Sequence, residues 1–107
     1  MLKTYRYKVD FSDVKHFIEI HEVLKRDLEF PDYYGGHLDA LWDCLTDMYG
    51  DPIHIEIIGL DVIEKKFDNM ASKMIEILTR FKHVNNDLFC NNIKIEIVSD
   101  GKRIEIE

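Results

Sequence analysis

Ile53-His-Ile-Glu-Ile-Ile58 alternates β-branched with polar residues, as a strand packed chiefly on one side does. The pattern returns in Ile93-Lys-Ile-Glu-Ile-Val98 and again in Arg103-Ile-Glu-Ile-Glu107. The last two are separated only by Ser99-Asp-Gly-Lys102, whose Asp-Gly pair suits a tight antiparallel hairpin. Near the start, Leu2 to Val9 places Tyr5, Tyr7 and Val9 among polar residues and reads as a further strand. Long helical segments separate the first three strands, and parallel strands need such crossovers. The order β, α, α, β, α, α, β, β predicts an α/β fold. Its small three-stranded parallel sheet is covered by about four helices and extended by a C-terminal antiparallel hairpin strand.

The first helix is expected from a cap at Ser12 or Asp13 to about Leu28, with Val14, Phe17, Ile18, His21, Leu24 and Leu28 on the buried face. Phe30-Pro-Asp-Tyr-Tyr-Gly-Gly36 then breaks the pattern. A second helix is expected over His37 to Met48. Leu38, Leu41, Leu45 and Met48 form its apolar stripe, while Asp39, Trp42, Asp43, Thr46 and Asp47 share an adjoining face. Gly50-Asp-Pro52 reads as a turn. A short helix is expected over Asp61 to Phe67. A longer one follows over Ala71 to His83, with Asn69 as a candidate cap and Met74, Ile75, Leu78 and Phe81 inward.

The 107 residues suit a single domain over 1–107 that needs no disulfide or metal to fold. No long apolar run marks a leader or a membrane span, so a cytoplasmic protein is expected. Cys44 and Cys90 match neither a redox pair nor a zinc ribbon and read as structural thiols. With 21 acidic against 14 basic residues the formal charge is −7, which disfavours direct contact with nucleic acid or anionic membranes. Such a surface attracts a basic partner, although the same charge also simply keeps a protein soluble.

The five histidines show none of the spacings of a metal site, and His21 reads as a hydrogen-bonded core residue. No phosphate-binding loop, nucleophile elbow or evident Cys/His partnership is present, so neither an enzyme nor a cofactor is expected. Asp39 and Asp43, four apart on one helix, lack the facing walls that acid/base catalysis requires. They read either as a solvated acidic face or as a binding face. Tyr33, Tyr34 and Trp42 flank them and favour binding, with at least one of these rings assigned to the core.

As a string, Leu24-Lys-Arg-Asp-Leu-Glu-Phe-Pro-Asp-Tyr-Tyr-Gly-Gly-His-Leu-Asp-Ala-Leu-Trp-Asp-Cys-Leu-Thr46 resembles the barstar family of intracellular ribonuclease inhibitors. The likeness spans about His21 to Glu56, with Cys90 before the third strand as a further agreement. It implies a parallel three-stranded sheet with four helices. It also implies an inhibitor whose second helix and preceding loop plug the active site of a basic ribonuclease. By matching position, Asp43 takes the place of a substrate phosphate and Asp39 pairs a second cation. Tyr33 packs on the enzyme's catalytic histidine, with Leu38, Trp42, Thr46 and Asp47 around it. Three positions depart from the family's best-known member: Met48 replaces a tryptophan, Asp47 a glycine, and Arg80 stands where an acid is expected. The leading expectation is an inhibitor or immunity protein of a toxin-antitoxin kind, bound to a basic secreted ribonuclease or nuclease toxin. The alternative is a barstar-like interaction domain for a basic protein that is not a nuclease.

Overall fold

A computed structural model describes residues 4–48, 52–89 and 93–107. The elements run β1 (Tyr5–Asp10), α1 (Phe17–Asp27), α2 (Leu38–Thr46), β2 (Ile53–Ile58), α3 (Leu60–Lys66), α4 (Met70–Phe89), β3 (Ile93–Ser99) and β4 (Lys102–Glu105). This is the expected α/β order. The strands lie side by side as β1-β2-β3-β4, the first three parallel and the last antiparallel. Leu2, Gly50, Asp51 and Cys90 fall outside the described residues, and so do the expectations placed on them.

Both crossovers step in the same direction across the sheet, and right-handed connections then place every helix on one face. The alternation of the strands agrees. Val9, Ile53, Ile55, Ile57, Ile93 and Ile95 are buried under the helices, where they meet Phe11, Ile20, Leu24, Leu41, Leu45, Met74, Leu78 and Phe81. Leu38 and Ile75, both expected in this core, are half-buried against its rim.

The opposite face of the sheet is polar. His54 Nε2 meets Glu96 Oε1 at 2.5 Å, while Arg6 Nη1 approaches His54 Nδ1 at 3.2 Å. Arginine can only donate, so the ring proton lies on Nε2 and is given to Glu96. That hydrogen bond, helped by the charges of Lys94 and Arg103, holds the Glu96 carboxyl below the ordinary glutamate range. Arg103 reaches from β4 to Glu56 on β2 (3.2 Å) and to Glu96 on β3 (3.6 Å), tying a short, exposed edge strand to its neighbours.

Three helix boundaries differ by two residues or more from the sequence reading. α1 begins at Phe17 and not near Ser12, because the Ser12 amide donates to Asp10 Oδ1 (2.9 Å) and Val14 N–H to Phe11 carbonyl (3.1 Å), closing a turn. Glu19 then caps the helix by accepting from the amides of Lys15 and His16. The buried face is correspondingly rotated onto Ile20, His21, Val23 and Leu24, and Phe17 and Ile18 are exposed (53% and 67%). α4 continues six residues past His83, since neither glycine nor proline interrupts it, and Asn86 Oδ1 near its end accepts from Ile93 N–H at 3.2 Å. α2 stops at Thr46 and not at Met48, where the Thr46 hydroxyl donates to the Asp43 carbonyl (2.7 Å).

Two glycines carry the tightest backbone. Asp100 and Gly101 have φ of 50° and 77°, the two left-handed residues of a type I′ hairpin. Gly59, at φ 78°, opens α3 against the β1–α1 turn, and a Cβ there would lie 2.6 Å from the Ser12 amide nitrogen. At Gly101 a Cβ would meet nothing within 4 Å. Gly101→Ala is therefore expected to cost about 1 kcal/mol of backbone strain. Gly59→Ala adds a backbone clash and should cost at least about 2 to 3 kcal/mol. Urea unfolding of the two variants compares them, and equal losses would contradict the close approach.

Candidate functional site

The loop between α1 and α2 is built from its buried members outward. Glu29, at φ 56°, ends α1 in the left-handed conformation, and Phe30 N–H returns to the Lys25 carbonyl (2.9 Å), closing the helix in a Schellman turn. Phe30 and Tyr34 are both buried, their ring centroids 5.1 Å apart. The Tyr34 hydroxyl shares a 2.6 Å hydrogen bond with Nδ1 of the buried His21. Burial pushes the Tyr34 phenol well above the ordinary tyrosine range. Tyr34 is thus the ring that belongs to the core. Its neighbour Tyr33 is turned outward and is 72% exposed.

Tyr33 is nevertheless held. Its hydroxyl donates to Asp47 Oδ2 at 3.0 Å, joining the loop to the far end of α2. That bond and the charge of Asp47 raise the phenol above its usual value. At the near end, His37 caps α2 by accepting the Ala40 amide on Nδ1 (3.1 Å). The loop is thus tied to both ends of α2.

α2 buries Ala40, Leu41, Cys44 and Leu45. The Cys44 thiol is raised by burial and by the charges of Asp47 and Asp43, which disfavours the thiolate. This burial turns Asp39, Asp43 and Asp47 outward, one turn apart and so spaced by about 6 Å along the axis. Among the described residues, neither Asp39 nor Asp43 has an ion-pair partner, and Asp47 is held only by Tyr33.

Like charges four apart destabilise a helix by a few tenths of a kcal/mol per pair. The helix dipole favours Asp39, in the first turn, and disfavours Asp47, at the C-cap. Beside the row, Trp42 is half-buried against the core, and the Arg80 guanidinium of α4 lies 4.2 Å above its ring. A cation over an indole at a site open to solvent on its outer side contributes about 0.5 to 1 kcal/mol. Thr46 and Met48 are half-buried at the helix end, and Leu38 is half-buried at its start.

All the residues singled out from sequence lie on α2 or on the loop and cap that flank it, with Tyr33 reaching Asp47 directly. The structure adds what sequence reasoning missed: a groove beside Leu38 and Asp39, lined by Phe17, His37, Asp68 and Lys73. Its outer ring, Phe17, meets Phe67 edge-on at 5.8 Å. The only sequence signal for it is an aromatic residue at the edge of the α1 stripe, Phe17, whose spacing alone points to the core.

The family profile described as Barstar (barnase inhibitor) matches residues 5–96. β4 therefore lies beyond the matched segment. The "Putative ribonuclease inhibitor YrdF" of Bacillus subtilis (strain 168) is 32% identical over 81 residues, covering 76% of this chain and 89% of that protein. The "Hormone receptor 4" of Drosophila melanogaster is 31% identical over 86 residues, which is 78% of this chain but 5% of the receptor. No helix among the described residues is long and apolar enough to cross a membrane.

The His21–Tyr34 pair under the loop makes the fold sensitive to acid. Burial, and to a lesser degree the charge of His37, lowers the proton affinity of His21 below that of the unfolded chain, which is about 6.5. Above that pH neither state carries the proton. Below it the unfolded chain takes up a proton that the folded state resists, so stability falls with acidification. Urea unfolding at pH 7.5 and 5.5 should show a larger loss for wild type than for His21→Gln, which does not titrate. Equal losses in both proteins would assign the acid sensitivity elsewhere.

Proposed function

The chain belongs to the barstar family, and from that premise we propose that it is a ribonuclease inhibitor. In this reading it closes the active site of a basic ribonuclease or nuclease toxin with α2 and the loop before it. The observation that carries the proposal is the outward row of Asp39, Asp43 and Asp47, without an internal cation among the described residues and flanked by Tyr33 and Trp42. Among the described residues Asp47 alone of the three has a side-chain partner, Tyr33, and none of the three is in an ion pair. A cationic partner relieves their repulsion and supplies the ion pairs that the row does not make among the described residues.

Each residue has a part that its position supports. Asp43, central in the row, enters the place of a substrate phosphate, where arginine or histidine donors hold its two oxygens. Asp39 meets a second cation one turn earlier. Tyr33 lays an exposed ring beside them, already fixed by Asp47, so little side-chain freedom is lost on binding. Leu38, Trp42 and Thr46 provide the surrounding contact and exclude water from the charge pairs. Inhibition is then occlusion: the nuclease is blocked because its anion site is filled by a carboxylate that it cannot cleave. No cofactor or membrane enters such a mechanism.

Asp43→Ala tests this, with barnase as the probe ribonuclease because the family's description names it as a target. Removing one partner of a desolvated charge pair costs at least about 2 kcal/mol, or roughly thirtyfold in Kd, a range that itself draws on barnase–barstar measurements. The fold should be unchanged or slightly steadier, since the substitution removes the middle charge of a repelling row. Titration of ribonuclease activity alongside thermal unfolding measures both. Equal inhibition by variant and wild type, or a large loss of stability in the variant, would overturn the assignment.

A further inference from the structure

The cation beside the acidic row is an anomaly in a chain of net charge −7. Arg80 is exposed, yet it is not a freely moving surface arginine, because its guanidinium carbon lies 4.2 Å from the centre of the Trp42 ring. Glu76 lies one turn earlier on α4, at the spacing that favours a helix ion pair, but Arg80 has no ion-pair partner among the described residues. Contact with the ring restricts where the guanidinium stands but gives its N–H groups no carboxylate to bind. Those groups form the rigid fork that binds a carboxylate in bidentate fashion. Trp42 thus holds, at the border of an acidic face, a positioned cation with no ion-pair partner among the described residues.

We propose that this face is bipolar and selects a protein partner carrying an Asp or Glu carboxylate beside its cationic centre, with Arg80 on Trp42 as the residue that reads it. The inference rests on the reading of α2 as the inhibitory face and specifies its partner. Asp39 and Asp43 answer the partner's cations, while Arg80 answers an acid next to them. A ribonuclease that is basic at that place meets a fixed like charge and is bound more weakly, even though the acidic anchor is intact. Like-charge juxtaposition is the repulsive element by which an interface discriminates between related partners. Trp42 is a positioning residue here, since it sets where the charge stands.

Barnase and a set of barnase variants, each with one surface Lys or Arg changed to Glu, serve as probes against wild type, Arg80→Glu, Arg80→Ala and Asp43→Ala. At least one Glu substitution, beside the enzyme's active site, should tighten binding to wild type by about tenfold and weaken binding to Arg80→Glu. Towards unmodified barnase, Arg80→Glu should bind more tightly than Arg80→Ala, and Arg80→Ala more tightly than wild type, with the differences shrinking in high salt. A merely structural role for Arg80 would weaken all probes alike and would not reverse with the sign of the partner's charge. If Asp43→Ala loses binding but no Glu substitution distinguishes wild type from Arg80→Glu, the inference is overturned and the inhibitory face stands. If Asp43→Ala leaves binding unchanged, or no form binds any probe, the face itself is wrong and the inference falls with it.

Discussion

Burying Ile53, Ile55 and Ile57 between the matching residues of β1 and β3 leaves β2 no freedom of register. A slip of one residue would drive His54 and Glu56 into the core and turn the isoleucines out. The same constraint runs across the sheet, where Tyr7, Ile55 and Ile95 are aligned, as are Val9, Ile57 and Ile97. Each strand therefore offers one apolar face, and both helical crossovers must be laid on that face. The position of α2 follows from this, because it returns the chain from the β1 side to the head of β2 while covering the floor with Leu41 and Leu45.

What α2 presents outward is then decided by what it hides. Ala40, Leu41, Cys44 and Leu45 occupy the inner surface, so the line of Asp39, Asp43 and Asp47 is left facing solvent. The loop in front is fixed by a different device, a pair of adjacent tyrosines with opposite roles. Tyr34 is drawn in by Phe30 and by the need of a buried hydroxyl for a partner, which His21 supplies. Its neighbour is left on the surface, where Asp47 catches the hydroxyl. A loop fixed in this way costs little further ordering on association.

The polar back of the sheet shows how three parallel strands tolerate an open face. Parallel sheets are usually covered on both sides. Here His54, Glu56, Glu96 and Arg103 satisfy one another across β2, β3 and β4, so the face is closed by ion pairs and a hydrogen bond in place of a second helical layer. β4 lies beyond the segment that the family profile matches, and Arg103 is its contribution to this network.

Strand identity, helix order and the hairpin were legible in the residues, because period-two and period-four apolar spacing and an Asp-Gly turn are local signals. The acidic face of α2 was legible for the same reason: positions four apart on a helix share a side whatever surrounds it. The start of α1 was not, since Asp10 and Ser12 bond within a turn that competes with the helix, and spacing alone does not show that Phe17 and Ile18 face solvent. Sequence also left open which of Tyr33 and Tyr34 would be buried, because two adjacent rings have equal hydrophobicity and are distinguished by tertiary partners, His21 for Tyr34 and Asp47 for Tyr33. Arg80 and Trp42 are 38 positions apart in the chain, and no periodicity relates residues on different helices. The sequence by itself determined the elements and the face that α2 would bear, since those depend on neighbours along the chain. Only the packing of α4 beside α2 decided that this face would carry a fixed cation at its border, since that contact exists only once the sheet has brought the two helices together.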